Sequence, residues 1–347
     1  MSITDRRSAL KAAAALMAWG AKPSIALASA KSAPFSPLAG PRSRCIYVND
    51  LGGDIDGLFA TVHMLLSHTV DLRGIVAADA LDNGPHGSIE DSVALARTMI
   101  ELCGMSGKVP VFAGSPEPLP KTGGPLRSPG AEAIVAEAMR NDTSLPLTIA
   151  VGGGLTEVAS AVMIEPKIAS RIKLIWIGGD DYPSGAIGET NFNTDPIAAQ
   201  YLYNETQVPI WQLPRSVYST TTISATELQA YVAPHGRIGK WLYDKVVNFP
   251  AKFDKKFNTG ETWNLGDSPL VLLAALNDWV PSSFVGGKLS YERTGSSHYD
   301  EVICPHLNAD GTFTPRSEGR KIRIYKDIDN RMMFSDFFAK LAVNFPR

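Results

Sequence analysis

Apolar residues along the chain come in two alternating rhythms. Short, mostly apolar runs at 45–48, 70–77, 109–112, 146–151, 172–177 and 208–213 read as strands. A run as continuous as 172–177 suits a strand buried on both faces. Between them, apolar positions recur at helical spacing over 58–66, 88–103, 131–140, 155–163 and 196–203. The last of these has a proline in its first turn, where a missing N–H costs nothing. Residues 214–258 read as a helical, variable cap over the strand ends, 283–326 as short strand-like runs, and 330–341 as a final helix. The alternation predicts an α/β fold, a mostly parallel open sheet with helices on both faces. No internal repeat, low-complexity tract or linker interrupts it, so residues 31–347 read as one domain.

Residues 1–30 follow neither rhythm. Arg6-Arg7-Ser8-Ala9-Leu10-Lys11 is a twin-arginine pattern, a short apolar stretch follows at 12–19, and Ala28-Ser29-Ala30 offers a small-residue cleavage site. Such a segment reads as an export signal recognised by the twin-arginine machinery and then removed. The apolar stretch is too short to span a membrane. The expected destination is the periplasm or the exterior, and no part of the processed chain is expected in a membrane. An uncleaved amphipathic helix is the alternative for this segment.

The chain has 347 residues, 44% hydrophobic and 20% charged, ample for one large core. Losing Arg6, Arg7, Lys11, Lys22 and Asp5 with the signal takes the net charge from −2 to about −5. That balance argues against a nucleic-acid partner. Three cysteines, Cys45, Cys103 and Cys304, make no framework and no C-x-x-C. Cys45 and Cys103 sit in apolar runs and read as buried thiols; sequence selects no pair for a disulfide.

The chemistry-bearing residues gather where strands end. Val48-Asn49-Asp50-Leu51-Gly52-Gly53-Asp54-Ile55-Asp56-Gly57 packs three carboxylates and three glycines between a strand and a helix. Crowded carboxylates repel unless a cation neutralises them, and oxygen ligands suit a hard ion such as Ca²⁺. Helix capping, favoured by the dipole, is the alternative and covers one or two of the three. Gly152-Gly153-Gly154-Leu155-Thr156 follows the 146–151 strand and either lets a ligand approach the backbone or makes a plain tight turn. It lacks the Gly-Lys-Ser/Thr of a phosphate-binding loop. Gly178-Gly179-Asp180-Asp181 ends the 172–177 strand. In Glu189-Thr190-Asn191-Phe192-Asn193-Thr194-Asp195-Pro196, Asp195 reads as a helix N-cap, whereas Glu189, Asn191 and Asn193 suit a polyhydroxylated ligand. Asp267, in Gly266-Asp267-Ser268-Pro269, reads equally as a cap or a ligand.

Taken together, these segments resemble the inosine/uridine-preferring nucleoside hydrolase family, in an exported, divergent branch. The resemblance runs from about Cys45 to near the C-terminus. The family's D-x-G-x-D-D loop resembles Asp50-Leu51-Gly52-Gly53-Asp54-Ile55-Asp56, its G-x-L-T-N turn resembles Gly153 to Glu157, and its K-x-x-x-x-G-G stretch resembles Lys173 to Gly179. Its E-x-N-x-x-x-D-P-x-A-A signature is met in full by Glu189, Asn191, Asp195, Pro196, Ala198 and Ala199.

The resemblance implies hydrolysis of an N-glycosidic bond by a Ca²⁺-bound water, through a transition state like an oxocarbenium ion. It implies Asp50 as metal ligand and base, Asp267 as the late metal aspartate, and the backbone carbonyl of Gly152, or Val151 beside it, as a main-chain ligand. Glu189 and Asn191 match ribose-binding positions. Paired aspartates are absent as neighbours, so Asp54 is expected at the metal with Asp56 toward the ribose, or the reverse.

The leaving-group half departs from the family. Gly266 stands where a histidine is usual, and after Pro118 only Thr122-Gly123-Gly124-Pro125 appears, with no histidine. Asp79 is nearest to a further ribose-contacting asparagine. Tyr182, Trp263 and Tyr299 are candidates to stack on a base, each equally readable as ordinary packing; His86 and His298 lie in polar loops. Two classes of function follow. One is an N-glycosidase acting on a ribonucleoside or related riboside, either alone or as a homo-oligomer. The other is a sugar- or nucleoside-binding protein, or a hydrolase of another glycoside, on the same fold.

Overall fold

A computed structural model describes residues 36–347, apart from 38–39, 79–87, 186–187, 250–259, 277–278, 286–287 and 294–296; of 277–296 the side chains are also outside the description. The twin-arginine segment, Asp79 and His86 lie outside the described residues.

Eight strands form the central sheet: β1 (Ser43–Asn49), β2 (Val70–Ala77), β3 (Val111–Ala113), β4 (Leu147–Gly152), β5 (Ile172–Ile177), β6 (Ile210–Leu213), β7 (His298–Ile303) and β8 (Lys321–Asp327). Their order is β7-β8-β6-β5-β4-β1-β2-β3. Every neighbouring pair is parallel except β7 against β8. The expected α/β class and mostly parallel sheet are therefore what the chain forms. Two of the short runs anticipated in 283–326 turn out to be the far edge of this sheet.

The helices are α1 (Asp56–Leu65), α2 (Ile89–Leu102), α3 (Pro129–Ala138), α4 (Thr156–Ile164), α5 (Thr190–Thr194), α6 (Pro196–Asn204), α7 (Arg215–Tyr218), α8 (Ala225–Tyr231), α9 (Gly236–Asn248), α10 (Pro269–Ala274) and α11 (Asn330–Asn344). The predicted helix at 131–140 begins two residues earlier because Ser128 accepts the Ala131 N–H and Pro129 takes the first position. Among the described residues no helix is long and apolar enough to cross a membrane. The three cysteines are free thiols, Cys45 and Cys304 buried and Cys103 half-buried.

Successive residues of β1 enter two different cores. Cys45 and Tyr47 join one with Leu58, Met99 and Leu270, from α1, α2 and α10. Ile46 and Val48 join the other with Ile134, Val158 and Leu202, from α3, α4 and α6. A strand covered on both faces must be apolar at every position, which is why 45–48 shows no alternation. The order runs outward from β1 as 1-2-3 on one side and 4-5-6 on the other. The sheet thus reverses between β1 and β4, and in such sheets ligands bind outside the carboxyl ends of the strands at that switch point.

Candidate active site

Asp50 leaves β1 and Gly152 ends β4, so both sit at the switch point. The Asp50 N–H faces the Gly152 carbonyl at 3.4 Å, and the Asp50 carbonyl accepts from Gly53 N at 2.7 Å, closing a tight turn. A cavity of about 210 Å³ opens there, and the residues lining it include Asp50, Asp54, Asp56, Glu189, Asn191 and Asp267. The side chains expected at the metal and the ribose, Asp50, Asp54, Asp56, Glu189, Asn191 and Asp267, are therefore brought to one place. Gly152 is beneath it: a Cβ there would lie 2.4 Å from both Asn49 Nδ2 and Asp267 Oδ1. That glycine is demanded by close approach.

The acids are interlocked. Asp54, exposed, accepts the Asp56 N–H at 2.8 Å, and Asp56 Oδ1 accepts the Gly57 N–H at 2.7 Å. Both acids thus accept N–H groups at the start of α1, whose N-cap, Ile55, has no side-chain bond; Asp50 lies before that first turn. Asp56 Oδ2 accepts the Asp267 N–H at 3.1 Å, tying the loop to the start of α10. Asp267 does not cap α10: its N-cap is Ser268, without a side-chain bond. Instead Asp267 Oδ2 accepts from Asn49 Nδ2 at 2.6 Å. Burial, with added repulsion from Asp54 and Glu189, raises Asp267 to about 7 even though the Asn49 bond works against the rise. Burial and the charges of Asp267 and Asp54 push Asp56 well above the carboxylate range.

Glu189 corrects the sequence reading, which gave it no capping role. It is the N-cap of α5, buried, and both oxygens are engaged. Oε2 accepts from Gly179 N at 2.6 Å and Phe192 N at 2.7 Å, and Oε1 from Asn191 N at 3.1 Å and the Tyr218 hydroxyl at 2.8 Å. Asn191 donates to the Ile177 carbonyl at 2.8 Å, which fixes its amide at the end of β5. Asn193 is exposed and lines no part of the cavity. Asp195 caps α6 as expected, accepting from Ala198 N at 2.9 Å, and also takes Leu119 N and the Thr156 hydroxyl.

Tyr218 and Asn264 also line the cavity, and nothing in the sequence marked them. They surround Gly266. A Cβ there would lie 3.0 Å from Asp56 Oδ2 and Asn264 Oδ1 and 3.3 Å from the Tyr218 ring. A side chain at 266 would need these neighbours to give by a few tenths of an ångström. The aromatic candidates sit elsewhere: Tyr182 packs on Phe313, Trp263 on Phe249 and Tyr299 on Tyr325. His298 and the 122–125 turn do not line the cavity.

Among the described residues no three His, Cys, Asp or Glu side chains draw together tightly enough to hold one ion. The donor chemistry nevertheless fits a hard cation. All donors are oxygens, and two carboxylates are held above their ordinary range by burial and by one another, a cost that a cation would relieve. The buried Asn49 Oδ1 has no hydrogen-bond partner among the described residues.

Comparison with known proteins places this geometry in context. Residues 46–335 match the model of the family described as inosine-uridine preferring nucleoside hydrolase. The inosine-uridine preferring nucleoside hydrolase of Leishmania major is 28% identical over 143 residues, which is 34% of this chain and 45% of that protein. The matched part thus spans less than half of that relative's length. In structure the chain is similar to a plant nucleoside hydrolase, with a TM-score of 0.63 at 16% identity over 87% of this chain and 99% of the other. It is equally similar to a purine-preferring ribonucleoside hydrolase from Gardnerella vaginalis, with a TM-score of 0.63 at 16% identity over 86% and 98%. At such identity these two likenesses speak for the fold.

Proposed function

We propose that this chain, which belongs to the inosine-uridine preferring nucleoside hydrolase family, hydrolyses the N-glycosidic bond of a ribonucleoside or related riboside with the aid of a divalent cation, Ca²⁺ by the chemistry of its ligands. The observation that carries this reading is the meeting of Asp50, Asp54, Asp56, Asp267 and Asn191 in one cavity at the β1/β4 switch point. Asp50, Asp54 and Asp267, with the Gly152 carbonyl, are the groups that would hold the cation, and a bound cation supplies a more acidic water and a grip on ribose hydroxyls.

The chain's own part begins with Asp50, the base that removes the water's proton. As the bond to the base breaks, positive charge grows on the sugar, and the surrounding carboxylates face that charge. Asn191, its N–H fixed on Ile177, offers its carbonyl oxygen to a hydroxyl. Asp56 lines the sugar side. Glu189 has four donors on about four acceptor positions, so its part in sugar binding is to set Asn191 and Tyr218 in place.

Release of ribose from a panel of nucleosides and ribosides, with and without Ca²⁺, tests the reading. Turnover of at least one riboside is expected. The missing side chain at Gly266 favours one competing reading, a sugar-binding protein or a hydrolase of another glycoside, which binding without ribose release would select. The twin-arginine pattern supports export of the folded protein to the periplasm or exterior; replacing both Arg6 and Arg7 with lysine should retain it in the cytoplasm.

A further inference from the structure

At the other end of the strands lies a second cavity of about 240 Å³, lined by Arg42, Lys173, Trp211 and Arg323 among others. Lys173 is the second residue of β5, whose last residue Ile177 lines the acidic cavity. Four residue steps of strand separate them, about 13 Å. Lys173 Nζ sits 3.9 Å from the centre of the Trp211 ring, and the Arg323 guanidinium 4.4 Å from the same ring and 4.4 Å from that of Tyr299. Arg323 pairs with Trp211 in the β6/β8 register, so one indole is flanked by two cations. Arg42 gives one N–H to the Ala275 carbonyl at 2.9 Å.

Among the described residues none of the three forms an ion pair, and neither Lys173 nor Arg323 donates a hydrogen bond. Glu301, opposite Arg323 in the β7/β8 ladder, pairs with Lys321 at 3.1 Å. The strain registers on Lys173, whose ammonium is pushed down to about 8 by burial and then by Arg323 and Arg42. Cation–π contact offsets part of this cost. The guanidinium and ammonium with unused donors line one cavity of about 240 Å³, space enough for a small oxyanion, and Arg and Lys are the residues that recognise one.

We propose that Arg42, Lys173 and Arg323 around Trp211 form a binding site for a phosphate group, at the opposite sheet edge from the acidic cavity. The phosphate is either free or carried on a sugar.

Isothermal titration of the full chain with inorganic phosphate and, separately, with ribose 5-phosphate tests this. Both Lys173→Met and Arg323→Met keep a stem to pack on Trp211, and each should weaken binding about tenfold or more by removing charged hydrogen bonds. Lys173→Arg keeps the charge and should keep the binding, which separates charge loss from misfolding. Phosphate should raise the melting temperature of the wild type and not of the double variant Lys173→Met/Arg323→Met. Tighter binding of ribose 5-phosphate assigns the site to a phosphorylated sugar, and equal binding to the free ion. The proposal is overturned if neither probe binds by roughly 10 mM, a weak affinity by any standard, or if binding survives both methionine substitutions.

Discussion

Asn49 donates to Asp267 across 2.6 Å although 218 residues separate them in the chain. This bond holds the late aspartate against the end of β1, with Tyr47 sharing the same amide at 3.0 Å. The fit is tight on two sides. A Cβ at Gly57 would lie 2.0 Å from Asn49 Oδ1, and one at Gly152 2.4 Å from Asn49 Nδ2.

Asn49→Ala should therefore leave a buried carboxylate without its donor, a loss of about 1–3 kcal/mol. The melting temperature and the turnover of any riboside should fall together. Gly152→Ala, which forces Asn49 and Asp267 apart, should be at least as damaging. An Asn49→Ala protein with unchanged melting and unchanged kcat would show that the contact does not organise the site.

Asp50→Asn should lower kcat by roughly 10²- to 10⁴-fold or more, the range for losing a general base with the loss of a cation ligand added to it, while the melting temperature of the calcium-free protein changes little. The amide keeps the size of the carboxylate and loses its basicity and its charge. Steady-state kinetics on the best riboside of the panel, beside circular dichroism, checks this. A variant within about threefold of wild type is far outside that range and would remove Asp50 from the base role.

The central strands were legible because burial on both faces leaves a local trace: 45–48 is apolar throughout and 172–177 is apolar but for Lys173, and they become β1 and β5. Asp50, Asp54, Asp56, Asp267 and Asn191 were legible because each follows a strand or opens a helix, and strand ends of a parallel sheet meet at one edge. Other features leave no such trace. The five-residue α5 is too short for periodicity, so Glu189 was not recognisable as its cap. Tyr218 reaches the cavity through the one-turn α7 and its hydroxyl contact with Glu189, a purely tertiary fact. Pairing of 298–303 with 321–327 is likewise set by the sheet and not by any nearby turn residue.

Removing the cation is the third test. If Asp50, Asp54 and Asp267 hold Ca²⁺ only in the folded state, the ion stabilises that state by mass action. Melting temperature should rise with Ca²⁺ concentration in chelator-treated protein, and Asp267→Asn should blunt the rise. Equal melting and equal ribose release at all Ca²⁺ concentrations would remove calcium from the proposal.

A fourth prediction concerns pH and stability. His63 on α1 is buried, with Nε2 2.7 Å from Asp336 on α11 and the Phe337 ring 5.2 Å away. Burial outweighs the carboxylate and lowers the imidazole from 6.5 to about 4. The unfolded chain thus binds more protons between those values. Stability from this group is complete above about 6.5 and falls as pH drops toward 4. His63→Gln does not titrate, so its melting temperature should fall less steeply than that of the wild type across this window. Parallel slopes would mean that His63 is not the group responsible.

The last prediction follows from Gly266. The position before the late aspartate holds no side chain, and Asp56, Asn264 and the Tyr218 ring lie close around it. Tyr218 is a poor proton donor: burial and then the Glu189 charge hold its phenol well above the ordinary range, and its hydroxyl already points its proton at Glu189. Among the described residues no histidine lines this side of the cavity to protonate a departing base. Contacts to the sugar lower the barrier for every leaving group, whereas acid assistance helps only poor ones. Activity should thus be weak on inosine and uridine, and higher on ribosides whose leaving group departs without a proton, such as nitrophenyl or nicotinamide riboside. The comparison is kcat/KM for nitrophenyl riboside against inosine, repeated with Tyr218→Phe. Loss of the hydroxyl should lower both substrates by a similar factor, because Tyr218 acts through Glu189 and the cavity wall. If inosine is the equal or better substrate and Tyr218→Phe penalises it alone, the phenol is the missing acid and the leaving-group half of the site works as proton donor after all.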